Sequence, residues 1–428
     1  MVKSLLNAQI SRPLLGKVLL ASWRFLDWLV PKRSDHWAFF THPLKRTQFV
    51  ENSRAVFEQV KDDASIHKLI FTRGAGVTLP LQGGCNVRVV NLQSLDGLCT
   101  LARCGVLLLT NSIAMDLVLR WADGSRNFPR PSLSRRIVIN LWHGIPLKRL
   151  FALANAEQRQ HGDRDAFRRK ERTFYSGLVS SSDIDSYAMA AIFHPIDYQN
   201  VWITGLPRND FLRTAECNLP DFLRDEVETI RCLKKGQRLI TYAPTYRETD
   251  IQGSECYQFE ESEIARLKEL LRRHNAVLGF RMHYFRNSDR LFNMERYVDG
   301  ESIIDLGHTT ISEIAPVLRE SDMIITDYSS VYIDAMYIDK PVFSFAYDLE
   351  HYQARQNGLL YDMELAFPGP VLKDFQGLLN ALEQELSCPR QAASAHYRIT
   401  KKLFFTFHDD RNSARVVERL KALTAKGQ

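Results

Sequence analysis

The chain has 428 residues, of which 45% are apolar, 11% aromatic and 25% charged, a balance that excludes a disordered chain, a collagen-like repeat and a disulfide-stapled miniprotein. At about 150 residues per domain the length suits two or three domains, each large enough for a real core. Fifty-six Lys and Arg against fifty Asp and Glu leave a net charge of +6, which suits anionic substrates or an anionic membrane surface and is too weak to indicate nucleic acid.

The first apolar stretch, residues 14–30, is interrupted by Lys17, Arg24 and Asp27 and is too broken to span a bilayer. As a helix it puts Leu15, Val18, Leu19, Ser22, Phe25, Leu26 and Leu29 on one face, with Lys17 and Arg24 opposite and Trp23 and Trp28 at the flanks. Such an amphipathic helix either lies in the headgroup layer, held by apolar burial and anionic lipid, or packs on the protein's own core. The charges within the stretch, with no small-residue cleavage site after it, argue against a signal peptide.

Beyond this segment, short aliphatic runs alternate with helix-period stretches. Strands are predicted at 37–40, 68–72, 87–91, 106–110, 137–141, 201–204, 239–242, 277–281, 323–326 and 342–345, and helices at 49–60, 263–273, 311–319, 375–386 and 413–423. The alternation predicts an α/β protein with parallel sheets. The simplest arrangement is an N-terminal segment over 1–34 and two doubly wound, Rossmann-type domains, 35–215 and 216–428, facing each other across a central cleft. In such sheets ligands sit beyond the carboxyl ends of the strands.

Four strand ends carry candidate chemistry. The strand at 137–141 runs into Trp142-His143-Gly144, and a histidine there is either structural or a proton acceptor near neutral pH. Residues 242–247 read Tyr-Ala-Pro-Thr-Tyr-Arg, ending in Arg247. Arg281 and His283 share one side of an extended segment and suit a phosphate, although a surface ion pair for Arg281 and a loop position for His283 fit the sequence as well. Finally Thr326-Asp327-Tyr328-Ser329-Ser330 turns a buried strand into a helix, where hydroxyls and first-turn amides either hold an anion or simply cap the helix. The Thr310-to-Glu313 spacing reads as a capping box without further function. The seven cysteines show no C-x-x-C pair and point to a reducing compartment rather than to zinc or disulfides.

Taken in order, WHG-x-P-L-K at 142–148, G-x-P-R-N-D at 205–210, Y-A-P-T-x-R at 242–247, R-x-H at 281–283, I-T-D-Y-S-S at 325–330 and Y-D-L-E-H-Y at 347–352 resemble the CDP-glycerol glycerophosphotransferase family, the teichoic acid primases and polymerases. The resemblance implies a GT-B-like fold with the nucleotide on the C-terminal domain, and peripheral attachment to the cytoplasmic face of the membrane. It also implies transfer of glycerol phosphate or ribitol phosphate from CDP-glycerol or CDP-ribitol to a lipid-linked or polymeric acceptor, in the making of a surface polymer. His143 and His283 match the family's motif histidines.

On this reading His143 is the general base, while His283, Arg281, Arg247, Thr326, Ser329 and Ser330 hold the donor phosphates; the reverse assignment of the two histidines stays open. Gly144, Pro207, Arg208, Asn209, Asp210, Pro244, Thr245 and Asp327 support the site. No tightly bound cofactor and no dedicated metal site are expected, although Mg2+ can travel with the nucleotide. Two alternatives remain on sequence alone: a GT-B glycosyltransferase using a sugar nucleotide, and a non-catalytic polymer-binding module at the membrane.

Overall fold

The computed structural model describes residues 13–45, 47–120, 126–159, 163–245, 256–282, 294–390 and 392–426. The first half builds a seven-stranded parallel sheet from β1 (Arg33–Phe40), β2 (His67–Thr72), β3 (Val87–Asn91), β4 (Cys104–Leu109), β5 (Ile137–Asn140), β6 (Tyr175–Ser180) and β7 (Val201–Ile203), in the order β3-β2-β1-β4-β5-β6-β7. The second half builds a six-stranded parallel sheet from β8 (Arg238–Tyr242), β9 (Ala276–Phe280), β10 (Ile303–Asp305), β11 (Met323–Thr326), β12 (Val342–Phe345) and β13 (Val371–Leu372), in the order β10-β9-β8-β11-β12-β13. Every position of β4 and of β11 is buried, as central strands covered by helices on both faces require.

All ten predicted strands are present, and each is paired in parallel. Three strands of these sheets escaped prediction. Ile303–Asp305 has only three residues and Val371–Leu372 two. Tyr175–Ser180 carries Gly177, where an added Cβ would stand 2.6 Å from the Trp202 ring, so packing of the neighbouring strand demands a residue that weakens the strand signal.

Eight helices matter below: α1 (Pro13–Leu29), α2 (Glu51–Val60), α3 (Asp163–Arg172), α4 (Asp221–Lys234), α5 (Ile314–Glu320), α6 (Val331–Tyr337), α7 (Ala395–Phe404) and α8 (Asn412–Lys426). The last two return from the second sheet to the first: Thr406 N–H donates to Ser181 O at 3.0 Å, and α8 packs on α2. The helix expected over 311–319 begins only at Ile314, and Glu313 makes no capping bond there, which corrects the capping-box reading.

α1 is fixed along one edge. Leu20, Trp23 and Asp27 are buried, Trp23 Nε1 donates to Leu98 O at 2.9 Å, and the Asp27 carboxylate is ion-paired with Arg136 and, at 3.1 Å, with Lys32. The acid that interrupts the apolar run in sequence thus pins the helix to the domain. Val18, Phe25, Leu26, Trp28 and Leu29 are exposed.

Candidate active site

In both sheets the strand order reverses once, between β1 and β4 and between β8 and β11. The chain leaving these strands opens outward at the reversal and leaves room for a ligand. One cavity of about 220 Å³ is lined from both points: His42 follows β1, Asn111 follows β4, Ala243 and Pro244 follow β8, and Ser329 and Ser330 follow β11. His143 joins it from the end of β5. The two halves meet here closely, since a methyl group on Gly144 would stand 3.4 Å from Arg208 Nη2 and 3.5 Å from Ser330 Oγ.

His143 is aimed by its neighbour. Trp142 sits at φ +50°, a left-handed conformation that costs a non-glycine residue on the order of 1–3 kcal/mol, and its N–H donates to Asn140 Oδ1 at 2.8 Å. The turn exposes the imidazole within the cavity, with Nδ1 at 3.3 Å from Thr110 O and the Trp142 ring 3.9 Å away, centroid to centroid. Burial lowers the pKa of His143, against the pull of the Glu51 carboxylate, so the ring is neutral at pH 7 and Nδ1–H toward Thr110 would leave Nε2 as a proton acceptor.

Glu51, which the sequence did not mark, opens α2 at φ +63° and lines the same cavity. Burial would raise its pKa, but His42, Lys45, Arg208 and His143 together hold it at about 2. His42 is pushed down to about 4 by burial; its Nδ1 accepts from Leu44 and Lys45 N–H at 3.2 and 3.0 Å, which turns Nε2–H toward Glu51 Oε1 at 3.5 Å. Glu313 accepts from Glu51 N–H at 2.5 Å, and burial plus repulsion from Glu51 lift it to about 7.

The second half contributes donors. Ser330 precedes α6 without a side-chain capping bond, and Ser329 Oγ accepts only a long 3.4 Å contact from Val331 N–H; capping therefore does not account for Ser330. Arg281 lines the cavity but donates to Leu306 O at 2.7 Å, Ile311 O at 2.5 Å and Ser312 O at 3.5 Å. Burial brings it down to about 10, so it keeps its charge at pH 7 while bracing the 306–312 loop. Arg208 crosses between the halves to Asp334 on α6 at 2.5 Å, and its Nε has no hydrogen-bond partner.

Several expected site residues stand elsewhere. Thr326 is fully buried and donates to Ala243 O at 2.7 Å, so its hydroxyl is not offered to a phosphate, a correction to the sequence reading. Asp327 accepts from Thr245 N–H at 2.7 Å and Tyr328 N–H at 2.5 Å, and ties the ends of β8 and β11 together. Of 205–210, only Arg208 reaches the cavity. Pro207 and Asn209 are buried, and Asp210 accepts from Asn412 and Ser413 N–H at 2.8 and 2.7 Å, capping α8. Gly205, at φ +77°, admits that helix: a Cβ there would overlap Asn412 Oδ1 at 2.0 Å. Arg247 and His283 lie outside the described residues.

Among the described residues the one trio with metal-ligating atoms mutually in reach is Asp35, His36 and His67, at the amino-terminal ends of β1 and β2 and so at the opposite end of the sheet from this cavity. Asp35 is already bonded to Arg33 at 2.8 Å, which competes with a cation.

Two parallel-sheet halves thus share one cavity, where an imidazole and a carboxylate from the first meet hydroxyls and a guanidinium from the second. The family profile for CDP-glycerol:poly(glycerophosphate) glycerophosphotransferase matches residues 23–422, and the chain belongs to that family. It is 25% identical over 382 residues to the teichoic acid poly(glycerol phosphate) polymerase of Bacillus subtilis (strain 168), covering 86% of this chain and 46% of that protein. To the teichoic acid ribitol-phosphate primase of Bacillus spizizenii (strain W23) it is 23% identical, covering 95% of this chain and 96% of that one. The chain thus spans about half the length of the polymerase and nearly all of the primase. A solved structure of the wall teichoic acid polymerase TagF superposes with a TM-score of 0.75 at 19% identity, over 97% of this chain and 96% of that one, which establishes a shared mixed α/β fold.

Proposed function

We propose that the protein transfers a polyol phosphate, glycerol phosphate or ribitol phosphate, from its CDP-activated form to a hydroxyl of a membrane-linked or polymeric acceptor in surface-polymer synthesis. The two halves act as a GT-B-like pair across the shared cavity. An acceptor oxygen attacks the β-phosphorus of the donor, the bond from that phosphorus to the bridging oxygen breaks, and CMP departs with the electron pair. His143 takes the hydroxyl proton, and the negative Glu51 nearby stabilises the resulting imidazolium. The observation that carries this reading is the meeting of a neutral, cavity-exposed His143 with an uncapped Ser330 across Gly144. Phosphoryl transfer of this type is chiefly positioning and charge stabilisation, and the cavity offers donors to the phosphates from Ser329, Ser330 and the Arg208 guanidinium. Arg247 and His283 complete the donor site by family resemblance.

No described helix is long and apolar enough to cross a membrane. The exposed apolar face of α1, rimmed by Arg24 and Lys17, supports attachment at the surface of an anionic bilayer instead. The test is a donor screen in which purified protein and membrane acceptor are incubated with CDP-glycerol, CDP-ribitol and UDP- or CMP-sugars. Release of CMP from a CDP-polyol with growth of the acceptor is the expected outcome; consumption of sugar nucleotides alone would overturn the proposal.

A further inference from the structure

Beside the shared cavity lies a second one of about 180 Å³, wholly within the first half. Asn111 lines both, and the tilted, closely packed rings of Trp142 and His143 stand between them, with Trp142 facing the second and His143 the first. The polar wall comes from one face of α3, where the i, i+3, i+4 spacing brings Arg168, Glu171 and Arg172 together. Phe151 packs against this wall, with the Arg172 guanidinium 4.2 Å and that of Arg168 5.5 Å from its ring centroid, and Arg172 Nη1 donates to His194 O at 3.3 Å.

Glu171 is 2% exposed. Its Oε1 accepts from the Tyr175 hydroxyl at 2.7 Å and from Ile113 N–H at 3.0 Å, whereas Oε2 is buried without a partner. Buried carboxyl oxygens are rarely left unpaired, and an unpaired one facing a cavity marks where a bound group completes the set. Burial raises Glu171 to about 7, so the carboxyl can either accept from or donate to a hydroxyl. Glu171 also lines a third cavity, bounded by Arg24, Phe25 and Trp28 of α1, so the three hollows form a series from the exposed face of α1 to His143.

We propose that the second cavity is the acceptor subsite, taking the phosphate-bearing polyol end of the acceptor. Arg168 and Arg172, held on the Phe151 ring, meet its phosphate with planar, charged donors, Glu171 completes its pairing on a hydroxyl, and Trp142 lies against the carbon face. The terminal hydroxyl then extends past Asn111 to His143. This assignment rests on the phosphotransfer reading above.

Two methionines separate the two claims, since Met115 lines the second cavity and Met282 the shared one. In protein labelled at the methionine methyl carbons, with the two signals assigned by Met115→Leu and Met282→Leu, sn-glycerol 3-phosphate should move the Met115 signal alone and CDP-glycerol the Met282 signal. Glu171→Gln should weaken the sn-glycerol 3-phosphate response about tenfold and leave the CDP-glycerol response unchanged; Arg172→Lys, which keeps the charge and loses the planar fork, should do the same if Glu171→Gln does not fold. A still Met115 beside a responsive Met282 would overturn the subsite, as would an equal Met115 response to inorganic phosphate. A responsive Met115 beside a still Met282 would support the subsite and overturn the donor assignment.

Discussion

The two halves share a layer plan and differ in what they bring to the cavity between them. From the first come groups that take up or balance a proton: His143, His42 and Glu51. From the second come hydroxyls and a guanidinium, Ser329, Ser330 and Arg281, beside the carboxyl groups of Glu313 and Asp334. Arg208 and Asp334 join the two sides at 2.5 Å. The side chains at the strand ends thus differ between the halves, and in the proposed transfer one set serves proton chemistry and the other holds charge.

That division is most exposed to testing at His143. His143→Ala should lower transfer by about 10²- to 10⁴-fold, the range for loss of a general base, while binding of CDP-glycerol measured by calorimetry stays within a factor of two or so. Ser330→Ala should do the reverse, weakening donor binding about five- to tenfold, as for one hydrogen bond to a charged group, with a smaller change in the rate at saturation. If both variants lost donor binding and rate in the same proportion, the halves would not divide the work as described.

A smaller effect sharpens the account of the first half. Burial holds His143 below its usual pKa, and Glu51 pulls it upward. The base acts when unprotonated, so activity falls as pH drops through that pKa. Glu51→Gln removes the upward pull, the pKa falls further, and the acid limb of kcat/KM moves to lower pH. A limb that stays in place or moves to higher pH would show that His143 is not the group titrating there.

The sequence announced the layer plan and the strand-end groups because both follow from short-range rules: aliphatic runs alternate with helical periods, and His143 and Ser330 fall where such runs stop. Glu51, Glu313 and Asp334 were hidden for a different reason. Each sits in or beside a helix whose pattern is explained without it, Glu313 even imitating a capping residue, and only sheet-to-sheet packing turns them toward one cavity. Neighbours in a short turn misled in the opposite way. Arg208, Asn209 and Asp210 read as one motif, yet the turn points Arg208 into the cavity and Asp210 to the start of α8, a divergence that two residues of rotation produce and no spacing reveals.

The least effect on chemistry is expected at α1, which distinguishes the first half from the second in another way. Deleting the helix would be uninformative, because Asp27 and Trp23 are built into the domain and removing Asp27 would strand a buried Arg136. Phe25→Glu with Leu26→Glu instead alters two exposed side chains and should leave folding and transfer to a detergent-solubilised acceptor nearly unchanged. Cosedimentation with vesicles containing phosphatidylglycerol should fall at least tenfold, since apolar burial is lost and two anionic charges now face an anionic surface. Undiminished cosedimentation would move the membrane contact off this face of α1, and the series of cavities that begins there would lose its outer end.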